Sequence, residues 1–150
     1  RIKRMSSLSQ LLETPTRTAV VAELVSLVDK VVAEQSGITG MAIKGAVAAA
    51  KKVDSDIVSK GIHRMLPDLL GELESYWQEF QSSAQDDFGS YLGGNDKRVT
   101  DSLMNVADRN ADQINNAALA KTYNSLRNKV SKIVEPYVPE FGRILQKHMH

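Results

Sequence analysis

Between Pro15 and Pro136 the chain holds a single proline, Pro67, and its apolar residues recur at three- and four-residue steps. That period matches the 3.6-residue turn of an α-helix rather than the two-residue alternation of a strand. Val20, Val21, Leu24, Val25, Leu27, Val28, Val31 and Val32 form one broad apolar face, with Glu23, Ser26, Lys30 and Glu34 opposite. The many valines would suit a strand, but the length and the helical spacing of the charges decide for helix.

The same period divides the rest of the chain. Ser6 to Glu13 suits a short helix, and Thr14-Pro15 reads as the cap and first position of the long valine-rich one. Gly37 stops that helix, and Thr39 can cap the next, which runs to about Val53. Asp54 or Ser55 caps another, carrying Ile57, Val58, Ile62, Met65 and Leu66 inward. Pro67-Asp68 should kink or restart the chain. Leu69, Leu70, Leu73, Trp77, Phe80, Ala84 and Phe88 then mark one amphipathic helix ending at Gly93-Gly94-Asn95. Val99, Leu103 and Val106 mark a further helix. Ile114, Ala118, Leu126, Val130, Ile133 and Val134 mark a longer one, and Phe141, Ile144 and Leu145 a last short one. No strand pair and no long internal repeat is visible.

The stretch GITGMAIKGAVAAAKKV, residues 37–53, admits three readings. A phosphate loop needs Lys and Ser or Thr directly after its last glycine. Here Ala46 and Val47 follow Gly45, and Lys44 precedes it, so the chemistry is missing. A membrane-seeking helix is disfavoured because its apolar residues are mostly Ala rather than Trp, Phe or Leu. The favoured reading is packing. Ala42, Gly45, Ala46, Ala49, Ala50 and Val53 would let a second backbone approach closely, making this the central helix of a bundle.

Charge and residue supply exclude several activities. Net charge is +1, without the basic excess of a nucleic-acid binder. From Met65 to Asp96 there is no Lys or Arg against seven acids, while each flanking segment is basic. Pairing between neighbouring helices explains this, and an acidic docking face is the sharper alternative. Without cysteine there is no disulfide, thiol nucleophile or thiolate metal site. His63 is the only histidine away from the C-terminus, and no Glu-x-x-His occurs. No catalytic residue, metal ligand or cofactor is assigned.

The segments SLSQLLETPTRTAVVAELVSLVD, GITGMAIKGAVAAAKKV, LPDLLGELESYWQEF and LRNKVSKIVEPYVPEF, in this order, resemble a family of small uncharacterised all-helical proteins of high-GC Gram-positive bacteria. The resemblance runs from about Met5 to the end. It implies one helical domain and a cytoplasmic setting, and carries over no functional residue.

The expectation is therefore an all-α, single-domain bundle of about six to eight helices over residues 6–148. Met5 reads as a native start, with residues 1–5 outside the fold as disordered or added sequence, and His148 and His150 are kept out of any chemistry. The leading functional expectation is a non-enzymatic interaction or structural protein acting as a homodimer or on a protein partner. The alternative is a carrier or sensor of an apolar molecule or lipid, with Met65, Trp77 and Phe80 lining its pocket. Nucleic acid is not expected as a partner, and no apolar run is long enough to span a membrane.

Overall fold

The computed structural model describes residues 7–113 and 117–149. Among these, seven α-helices and two short 3-10 turns account for all regular structure, and no strand occurs. The helices are α1 (Thr16–Ala33), α2 (Gly37–Val53), α3 (Ile57–Ser82), α4 (Phe88–Gly93), α5 (Asp96–Ala111), α6 (Ala117–Val134) and α7 (Val138–Lys147). A 3-10 turn at Leu8–Leu12 precedes α1, and another at Glu135–Tyr137 joins α6 to α7. The single-domain all-α bundle read from periodicity is what the chain forms. The expectation for residues 1–5 and the helical position assigned to Ile114 fall outside the described residues.

Helix α3 is the spine: the first 3-10 turn, α1 and α5 pack along it, while α4 and α7 pair with each other at its C-terminal end. The core follows that arrangement. Leu8, Leu11, Val20, Leu66, Leu70, Leu73, Phe88, Leu92, Val99, Val106, Val138 and Leu145 are fully buried. Each such side chain contributes about 1.5–3 kcal/mol by leaving water.

Several local expectations are corrected. Pro15 occupies the N-cap of α1 rather than its first turn. Gly37 does not merely end α1; it opens α2 with φ +71, a conformation glycine adopts without a steric penalty. Pro67 does not break its helix, for α3 runs through it. The carbonyl that Pro67 cannot satisfy belongs to His63, and Arg17 Nη2 donates to it at 2.8 Å. The helix drawn from Leu69 to Phe88 is instead two. Ser83 turns its hydroxyl back onto the Phe80 carbonyl at 2.7 Å, and Asp87 caps α4 by accepting from the Gly89 N–H. Tyr76 is buried: its hydroxyl meets Ser102 on α5, and the Arg98 guanidinium lies 5.4 Å from its ring centroid.

The close backbone crossing also lies elsewhere. At Gly45 an added Cβ would meet nothing within 4 Å, and Ala49 is exposed. The tight contact is between α4 and α7, where a Cβ on Gly142 would stand 3.0 Å from the Gly89 Cα, and one on Gly89 only 2.4 Å from the Pro139 carbonyl oxygen. Alanine-rich periodicity reports that a helix can approach a neighbour, and here Gly45 and Ala49 face outward instead.

Of the seven acids in the acidic stretch, Asp68, Glu72, Glu74 and Asp87 are engaged within the fold. Arg109 holds Asp68 at 2.8 Å and Glu72 at 3.3 Å, and Arg143 lies 3.3 Å from Asp87. Glu74 accepts the Leu8 N–H at 2.8 Å and the Ser7 hydroxyl at 3.0 Å, tying the first 3-10 turn to α3.

Candidate functional site

Helix α6 has no fully buried residue. Its apolar side chains nonetheless fall on one stripe, with Leu119, Leu126, Val130 and Ile133 at three- to seven-residue steps, all half-buried. Helix α2 buries only Gly40 and Ile43. Both helices turn apolar faces toward the bundle, and these faces border a cavity of about 530 Å³.

Five helices and the second 3-10 turn join α6 in walling this space. Helix α1 contributes Leu24, Leu27, Val28, Val31 and Val32, and α2 contributes Ile43, Ala46, Val47 and Ala50. Ile57, Ile62, Met65 and Leu69 come from α3, Leu103, Met104 and Ala107 from α5, and Val138 and Phe141 from α7. Small residues on α2 and α5 keep the space open; leucines there would fill it.

Only three lining residues carry a side-chain polar atom capable of hydrogen bonding: Thr122, Tyr123 and Tyr137. Each donates its proton to the protein. Thr122 Oγ1 donates to the Ala118 carbonyl at 2.9 Å, Tyr123 to Asp108 at 2.8 Å, and Tyr137 to Glu34. Burial and the neighbouring Asp108 carboxylate push the Tyr123 hydroxyl well above its ordinary value, so it stays protonated. Arg127 also binds Asp108, its Nε 2.7 Å from Oδ1, and holds that carboxyl below the usual range. Among the described residues no charged side chain lines the cavity.

Of the residues expected to line a pocket, Met65 does so. Trp77 and Phe80 do not. They belong to an aromatic cluster in the core, with Phe88 edge-on to Trp77 at 4.9 Å and Tyr91 at 5.8 Å from Phe80. Trp77 lies twelve residues beyond Met65 on α3, about 18 Å along the axis. The α3 residues that line the cavity thus lie in the N-terminal half of that helix, and its aromatics toward the C-terminal end. The walls contributed by α1 and α6 were visible as amphipathic faces, but nothing in their spacing said that they meet across open space.

Among the described residues no group of three or more histidine and carboxylate side chains could hold a metal ion, and no helix is long and apolar enough to cross a membrane.

The class these features define is an all-α protein with an apolar, donor-poor cavity between its helices. The chain belongs to a family of unknown function, DUF6918, whose model matches residues 8–149. No curated protein and no solved structure matches it.

Proposed function

We propose that this protein is a non-enzymatic carrier or sensor that holds an uncharged, hydrocarbon-rich small molecule between α2, α6 and the spine. The observation that carries the reading is the cavity of about 530 Å³, a volume within the range of about 300–1,000 Å³ typical of ligand sites. Left to water, so apolar a lining keeps hydrocarbon surface in contact with solvent, at a cost of about 25 cal/mol per Å². A bound apolar molecule recovers that loss.

The lining also selects. An ionised carboxylate or phosphate in a low-dielectric site needs a cation or several donors. The three lining hydroxyls already donate elsewhere, and Arg127 is engaged by Asp108. The ligand that fits is therefore hydrocarbon-rich and without a charged head. A module acting through an acidic face draws less support, because Asp68, Glu72 and Asp87 are paired internally. The setting we propose is the cytoplasm of a high-GC Gram-positive bacterium.

Native mass spectrometry of untagged protein, followed by delipidation and titration with an apolar fluorophore, tests this reading. Expected are a co-purifying apolar mass and fluorophore binding competed by hexadecanol better than by palmitate. A delipidated protein that binds no fluorophore, or one that prefers palmitate, overturns it. So does a dimer whose partner helix fills the cavity.

A further inference from the structure

We propose that the outer face of α2 docks on an anionic lipid surface. The large apolar side chains that are exposed among the described residues are Ile38, Met41 and Val53, at 86%, 76% and 59%, and all three sit on α2. Isolated exposed apolar residues are ordinary; their concentration on one helix is not. Ile38, Met41, Gly45, Ala49 and Lys52 step along one face, which is solvent-exposed throughout.

Charge decides what kind of surface this face fits. Residues 37–53 contain Lys44, Lys51 and Lys52 and no acid. Lys51 is loosely paired with Asp29 at 3.8 Å, whereas Lys44 and Lys52 have no acidic partner among the described residues. An exposed apolar strip flanked by cations matches the interface of an anionic bilayer, where apolar side chains enter the acyl boundary and lysines reach the headgroups. A cytosolic protein surface, apolar and acidic together, would be a less general match.

The opposite face of α2 lines the cavity through Ile43, Ala46, Val47 and Ala50. A helix held on a bilayer by one face while walling the cavity with the other places the cavity beside the hydrocarbon phase. Docking stands on the outer face alone; its use in loading rests on the carrier reading above.

The experiment is flotation of the full chain with vesicles of phosphatidylcholine alone or with added phosphatidylglycerol, at low and high salt. Binding is expected only with phosphatidylglycerol, and weakened by salt. Ile38→Ser/Met41→Ser and Lys44→Gln/Lys52→Gln are each expected to lose about tenfold or more in partitioning. All four residues are exposed, so circular dichroism should show an unchanged fold. Fluorophore binding in solution should also persist in both variants, which separates failure of docking from failure of the cavity. No partitioning at low salt, or partitioning insensitive to both variants, overturns the proposal. So does lipid-free self-association that the Ile38→Ser/Met41→Ser change abolishes, since the face would then belong to a second copy.

Discussion

Arg17 on α1 donates one N–H to the His63 carbonyl at 2.8 Å and another to His63 Nδ1 at 3.0 Å. That carbonyl is the helical acceptor four residues before Pro67, which has no N–H to offer. A long-range side chain thus completes the backbone of α3 where the sequence interrupts it. Arg17→Ala is expected to cost about 1 kcal/mol. In a Pro67→Ala background, where the alanine N–H can take the carbonyl, the loss should be smaller. Chemical denaturation of the double-mutant cycle checks this, and strict additivity would show that the two sites are uncoupled.

Glycine substitutions separate the real crossing from the apparent one. Gly142→Ala places a Cβ 2.9 Å from Leu92 Cδ1 and 3.0 Å from the Gly89 Cα, so it should destabilise by about 1–3 kcal/mol. Gly45→Ala meets open space on an exposed helical position and should stabilise by about 0.5–1 kcal/mol. Equal effects at both positions would place the crossing wrongly.

Filling the cavity should trade ligand for stability. Ala50→Leu and Ala107→Leu put apolar volume into the space without opposing a packed wall. Thermal melting of the ligand-free protein is expected to rise, each change adding about 1 kcal/mol, while fluorophore binding falls. A variant that melts higher and binds as before would show that the fluorophore sits elsewhere.

Asp108 links α5 to α6, accepting from Arg127 and Tyr123. Arg127 chiefly, and Tyr123 with it, lower its carboxyl in the folded state. The folded value is depressed, so its contribution is present above the unfolded value of about 3.9 and is lost as pH falls through the folded one. Asp108→Asn should therefore destabilise at neutral pH and flatten the acid limb of stability against pH. Parallel curves for the two proteins would rule this role out.

Thr100 is 2% exposed, and its hydroxyl has no hydrogen-bond partner among the described residues. Burying an unsatisfied hydroxyl costs about 1–3 kcal/mol. Thr100→Val keeps the shape and removes that cost, so denaturation should show a stability gain of about 1 kcal/mol. A loss would mean that the hydroxyl does find a partner.

The sequence by itself determined that each segment is helical, because the 3.6-residue period of apolar positions is a local property, but not that α3 runs through Pro67 and ends at Ser82. It also showed an acidic stretch between basic segments, of which Asp68, Glu72 and Asp87 take cations from other helices. It did not determine which helix faces would find partners. Gly45 looked like a crossing and is exposed, while Gly89 and Gly142, fifty-three residues apart, make the close approach. Trp77 looked like a pocket wall and packs in the core, while the apolar stripe of α6 borders open space. Periodicity states what a face can bury. Whether it meets a backbone, a side chain or a cavity depends on the relative placement of helices distant in the chain, and only the tertiary structure decides that.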